Sequence, residues 1–279
     1  MKNQLKKVAV SILGVALMMG LGACGSTKTS QSNIDGKSIK VGVCAGPYGD
    51  MFEEAIKPSL EEQGYKVEMV EFSDYVQPNN ALSDKEIDVN MFQHSTYLKN
   101  FSSEHGLDLT YITEIPTAGM AIFSDSAESI EALPQGGKIA IPNDDTNLSR
   151  ALRVLAQTGV ITLDPEVDPA TVTPENIIEN EKGLTFTEVN AEVMTSILDS
   201  VDAAIINGNY ALSGGLNLSD ALYNEQIADG YFNVIAVRSE DKDSDLAKKI
   251  VEIVKSDAFK SIIEDESKRY VSFSRPANY

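Results

Sequence analysis

The chain is poor in the residues that build reaction centres. It holds two cysteines and two histidines, and His94 and His105 are separated by a whole predicted helix, so their side chains should diverge. A tight zinc site draws three or four ligands from histidine, cysteine and carboxylates, and the plentiful acids do not follow the spacing of a calcium loop. No metal and no cofactor is expected. The phosphate-binding glycine loop, the G-x-S-x-G elbow, the H-E-x-x-H helix and the G-x-G-x-x-G turn are all missing. Together these absences argue against an enzyme, since catalysis needs a positioned acid, base or nucleophile. Basic charge is scarce too: 23 Lys and Arg against 42 Asp and Glu give a formal net charge of -19. Nucleic acid is therefore excluded as a partner, because binding it takes a basic patch.

Long apolar runs are confined to the N-terminus. Lys2, Lys6 and Lys7 precede an apolar run from Val8 to Leu21, and small residues follow. That order is an export signal, and the run falls short of the roughly 20 apolar residues of a spanning helix. Leu21-Gly22-Ala23-Cys24 is similar to the lipobox of bacterial lipoproteins, in which the cysteine is lipidated and becomes the new N-terminus; a plain signal with a chance cysteine is the alternative. Residues 1–23 are read as a lipoprotein signal peptide and 24–36 as a flexible tether, its Ser, Thr and Gln giving a solvated coil. The leader carries three lysines and no acid, so its removal moves the net charge from -19 to about -22, which suits a soluble exported domain. With Cys24 given to the anchor, Cys44 is left alone, no internal disulfide can form, and stability must come from the core. The expected location is the cell membrane, lipid-anchored on its extracytoplasmic face.

What the chain does have is an alternation of short apolar strands and amphipathic helices. "IKVGVC" reads as a buried strand, followed by a Gly/Pro turn and a helix from about Met51 to Gln63, which Pro58 should kink or whose last turns it should mark. "KVEMVEF" is a second strand; a helix with Pro78 in its first turn runs to about Lys85; the strand Ile87 to Met91 leads into a helix from about Ser95 to Glu104, closed by Gly106. Such βα units imply parallel sheets, with ligands at the C-terminal ends of the strands. "YITEIPTAGMAIFS" carries two strand-like runs split by Pro116 and Gly119, a candidate crossing between lobes. A second series follows: "KIAIPND", a helix, "GLTFTEV", a helix, "AAIIN"; the strand "YFNVIAVR" and helices from about Ser244 close the chain.

Two stretches carry chemistry. In "IPNDDTNLSRALRVLAQTG", Leu148, Ala151, Leu152, Leu155 and Ala156 form one buried helical face, with cap-type residues Asp144 to Thr146 before it. Asn147 and Arg150 fall three apart in the first turn, where free N–H groups and a guanidinium suit a carboxylate; a surface pair of Arg150 with Asp144 or Asp145 is the plainer alternative. In "VNMFQHSTYLKNF", Phe92, His94 and Tyr97 sit where a strand leads into a helix. Strand-end core is one reading and a ligand box the other, since buried imidazole and phenol groups need partners.

The stretches "FSDYVQPNNALSDKEIDVNMFQHSTYLKNF", "IPNDDTNLSRALRVLAQTG", "IIENEKGLTFTEV" and "AAIINGNYA" resemble, in order, the NlpA family of methionine-binding lipoproteins that serve ABC importers. The resemblance implies an α/β, type II periplasmic-binding-protein fold, two α/β lobes joined by a two-strand hinge. The lobes would be 37–117 plus 230–279, and 118–229. It implies a thioether pocket of Tyr75, Phe92, His94 and Tyr97, a carboxylate grip by Arg150, and polar contacts from Asn147 and Asn207. Partners implied are methionine, an importer permease and ATPase, and the membrane through the lipid; a monomer is expected. L-methionine is favoured, with D-methionine, a methionine-containing dipeptide or another small amino acid as alternatives, and an adhesion-type surface lipoprotein as a remote one. Where relatives often carry a proline-rich segment, this chain has "NAEVMTSIL", and Glu192 near the pocket could alter its preference.

Overall fold

A strand whose two faces must both be covered needs helices on either side, and the alternation above supplies them. In the computed structural model, which describes residues 38–277 and 279, the strands form two five-stranded sheets and a two-stranded ribbon. The leader, Cys24 and the tether lie outside the described residues. In chain order the strands are β1 (Ser38–Cys44), β2 (Lys66–Phe72), β3 (Val89–Asn90) and β4 (Leu109–Glu114), then β5 (Ala121–Phe123) and β6 (Lys138–Pro142). The ribbon β7 (Thr162–Leu163) and β8 (Ile177–Glu179) follows, then β9 (Thr185–Val189), β10 (Ala203–Ile206), β11 (Tyr223–Asn224) and β12 (Val234–Arg238).

The first sheet runs β2-β1-β3-β12-β4 and the second β11-β5-β10-β6-β9. β1 lies parallel to β2 and β3, and β6 parallel to β9 and β10, as the βα pattern requires. β12 inserts between β3 and β4, antiparallel to both. The chain therefore passes between the sheets twice, and the two passes run side by side: Ile115 N–H donates to Asn233 O at 2.8 Å, and Glu225 N–H to Met120 O at 3.0 Å. This is the two-lobed type II periplasmic-binding-protein fold with its two-strand hinge.

Several local readings shift. The first helical stretch begins at Pro47, in α1 (Pro47–Met51), because proline's fixed φ and missing N–H cost nothing at a helix start. It widens into a π-helical turn over Phe52–Ile56 before α2 (Lys57–Glu62), so that the bond Pro58 cannot donate is absorbed by the irregular turn. Next come α3 (Gln77–Ser83) and α4 (Ser95–His105), which Gly106 closes at φ 65, then α5 (Asp145–Gln157) and α6 (Gly208–Ser213). α7 (Asp245–Val254) and α8 (Asp257–Ile263) end the series. The segment after "GLTFTEV" is a 3-10 helix over Ala191–Ser200. Its apolar residues Ala191, Met194 and Ile197 recur every third position, which stacks them on one edge of a three-residue turn.

Each sheet has its own apolar core. Val41, Phe52, Ile235, Ile250 and Phe259 belong to the first, Ile139, Ile141, Ile205 and the face of α5 to the second. Leu152 and Leu155 are wholly buried there, each contributing about 1.5–3 kcal/mol, while Ala156 packs at the margin. This burial pins α5, and with it Asn147 and Arg150, to the second sheet.

Candidate functional site

Loops at the strand ends of both sheets meet around a small cavity. All seven residues singled out from the sequence line it. Phe92 and His94 follow β3, Tyr97 sits in the first turn of α4, and Tyr75 lies between β2 and α3. Asn147 and Arg150 face it from α5, and Asn207 from the start of α6. Tyr48, Gln93, Asn209 and Asn233 line it as well.

The aromatic wall is formed by Tyr75, Phe92 and Tyr97, with ring centroids 5.7 to 6.3 Å apart. Their phenols are satisfied: Tyr97 Oη donates to Tyr75 O at 3.1 Å, and Tyr75 Oη to Asn209 Oδ1 at 2.6 Å. Burial pushes both phenols well up, so the wall is neutral. Cys44 is buried behind it, its Sγ 3.1 Å from Asp74 O; burial, then the charge of Asp74, push the thiol up. Glu192 does not reach the cavity. It lies in a shallow groove outside the Tyr75 wall, hydrogen-bonded to Asn190, while Met194 is core.

The polar wall has a fixed sense of hydrogen bonding. The Asp144 carboxylate only accepts, so Asn147 must turn its Nδ2 toward it, 3.0 Å from both oxygens. Asn147 Oδ1 then faces the cavity and receives two donors, Asn207 Nδ2 at 2.9 Å and His94 Nε2 at 3.2 Å. His94 can donate there because its Nδ1 accepts the Tyr97 N–H at 3.0 Å, capping α4. Burial, and then the Arg150 charge, hold the imidazole well below its ordinary range, so it is neutral. The relay ends at Asn207 Oδ1, a buried acceptor with no hydrogen-bond partner.

Arg150 is not a surface residue and does not pair with Asp144 or Asp145. α5 begins at Asp145, which puts Arg150 in the second turn rather than the first, on the buried face. Its partner is Glu225, gripped through Nε–Oε1 at 2.8 Å and Nη2–Oε2 at 2.6 Å, with side chains 5% and 4% exposed. The two bonds to Glu225 use Nε and Nη2 and leave Nη1 out. Burial opposes the charge, but Glu225 more than offsets it and holds the Arg150 pKa above its usual value. The Tyr231 ring lies 5.3 Å from the Arg150 guanidinium and 4.9 Å from His94. Glu225, Tyr231 and Asn209 escaped the sequence reading. Asn209 sat inside a quoted motif, but Glu225 lies 75 residues from its partner with no local pattern to flag it.

The two lobes touch across the site. Besides the His94–Asn147 and Tyr75–Asn209 bonds, Asn209 Nδ2 donates to Ala45 O at 3.1 Å, and Tyr210 stacks on Tyr75 at 4.9 Å. Gly46 makes that approach possible: at φ +123 it carries no Cβ, which would lie 2.7 Å from Asn209 O. His105 stacks on Phe101 at 4.0 Å and bonds Phe101 O, apart from His94 in role.

The sequence profile of NlpA lipoproteins matches residues 39–273. The chain belongs to the NlpA lipoprotein family. It is 35% identical over 268 residues to outer membrane lipoprotein 1 of Mannheimia haemolytica, covering 93% of this chain and 95% of that one. It is 36% identical over 242 residues to the D-methionine-binding lipoprotein MetQ of Salmonella typhi, covering 86% and 87%. A nutrient binding protein of Burkholderia cenocepacia, solved bound to methionine, superposes with a TM-score of 0.77 at 38% identity, covering 82% of this chain and 96% of that one. These NlpA relatives carry the names of binding proteins and lipoproteins, not of enzymes.

Proposed function

We propose that this chain captures methionine outside the cytoplasm and delivers it to an ABC importer of permease and ATPase, held to the membrane by a lipid on Cys24. The observation that carries the reading is the make-up of the cavity wall. A guanidinium whose Nη1 is left out of the Glu225 pair suits a carboxylate, an orphaned acceptor at Asn207 Oδ1 suits an ammonium, and the Tyr75, Phe92 and Tyr97 wall suits a thioether. Lobes 37–117 plus 230–279 and 118–229 would close on the ligand as a monomer by hinge motion.

L-methionine is the leading ligand; the relatives named for D-methionine make the D enantiomer its direct competitor. The test is calorimetric titration of both enantiomers, and of methionine-containing dipeptides, into the full chain after unfolding and refolding to strip carried ligand. Saturable binding of one enantiomer supports the reading. No heat, and no stabilisation where a thousandfold excess over Kd should add about 4 kcal/mol, would refute it and leave surface adhesion as the alternative.

A further inference from the structure

We propose that Glu225 makes this cavity select a zwitterion over an anion, an inference that rests on the amino-acid reading given above. A lone guanidinium walled from water would accept any carboxylate that fits. Arg150 is not alone: Glu225 already neutralises it through two hydrogen bonds of 2.8 and 2.6 Å. Glu225 cannot swing aside, because Oε2 also accepts the Met120 N–H at 2.8 Å and its own N–H is held by Met120 O on the facing pass of the hinge. The neighbouring imidazole of His94 is neutral and adds no compensating charge.

The charge balance of the site follows. A carboxylate arriving without an ammonium would leave Arg150 between two anions, one in excess, where low polarisability makes the excess costly. An amino acid adds no net charge. Its carboxylate takes the N–H that Glu225 leaves free on Nη1, and its ammonium brings a positive charge toward Asn207 Oδ1 and into the field of Glu225. Glu225 acts through Arg150 rather than by touching the ligand; it is a positioning residue whose charge sets selectivity. A residue that only braced Arg150 would weaken every ligand alike, whereas this one changes the ratio between ligands of different charge.

The experiment titrates three probes into the full chain: L-methionine, D-methionine, and 4-(methylthio)butanoate, which keeps the carboxylate and thioether but lacks the ammonium. Wild type should bind its preferred enantiomer at least about a hundredfold more tightly than the butanoate. In Glu225→Gln that ratio should shrink by about tenfold or more, and in Glu225→Asp, which keeps the charge, it should stay near the wild-type value. Ratios within one preparation do not depend on the fraction that folds. Wild type binding the butanoate as tightly as methionine would overturn the inference without any variant, as would an unchanged ratio in Glu225→Gln. Wild type binding neither enantiomer would overturn the functional reading itself, which is a separate failure.

Discussion

Replacing Arg150 by alanine should damage the fold more than it damages ligand binding. The substitution leaves the Glu225 carboxylate 4% exposed with a single backbone N–H for company. Removing one partner of a buried ion pair costs about 3–5 kcal/mol. For a chain of this size each kcal/mol moves Tm by roughly 2–4 °C, so a fall of about 6–20 °C is expected. The double variant Arg150→Ala/Glu225→Gln contains the same vacated volume but no stranded charge, and should recover most of the loss. Binding behaves differently. The guanidinium supplies a charge-assisted hydrogen bond of about 1.5–3 kcal/mol, roughly 10- to 150-fold in Kd, and the double variant does not restore it. Ligand-free urea and thermal unfolding of the three proteins, with titrations on the same preparations, measures both. A double variant no more stable than Arg150→Ala would refute the stranded-charge argument, whatever happens to affinity.

His94 gives a pH test. Its folded pKa is lowered from the ordinary 6.5, by burial first and then by Arg150, so below that pH the unfolded chain takes up a proton that the folded chain refuses. Stability should therefore be fully present above about pH 6.5 and decline on acidification, with a slope of at most about 1.4 kcal/mol per pH unit from this group. His94→Asn keeps a cap-type residue on α4, and urea midpoints between pH 7 and 5 should lose that part of the slope; equal slopes would count against a neutral buried imidazole. Asn209→Ala removes the two interlobe bonds to Tyr75 and Ala45, about 0.5–1.5 kcal/mol each. The ligand-free protein should lose about 1–3 kcal/mol of stability in urea unfolding; an unchanged midpoint would show that these bonds add nothing to the fold.

How much of this could be read from the chain depends on range. α5 was legible because its apolar face recurs at helical spacing and its cap is local, and α4 because Gly106 stops it. Tyr75, Phe92, His94, Tyr97, Asn147, Arg150 and Asn207 were reachable through motifs, and they meet around one cavity. The counter-ion of Arg150 shows the limit. Spacing offered it Asp144 and Asp145 as neighbours, but a cap residue belongs to the helix end, while position 150 falls on the buried face. Its true counter-ion lies across the fold on the hinge, where no periodicity points. A helix after "GLTFTEV" was legible but its 3-10 type was not, because a three-residue apolar spacing is part of both helical patterns. The place of β12 was invisible for a different reason: apolar composition marks a strand but not its neighbours.

That place has a consequence for how the molecule comes into being. As the chain emerges from its N-terminus, β1 to β4 appear first, yet the sheet they belong to has a gap between β3 and β4 until residues 234–238 arrive. The second sheet is complete ten residues earlier, at Asn224. The half that starts last finishes first, and the early half waits with two open strand edges. Contacts spanning well over a hundred residues, such as Ala236 against Asn90, must then close late. A growing chain built in this order stays loose through most of its synthesis and sets into shape only near the end.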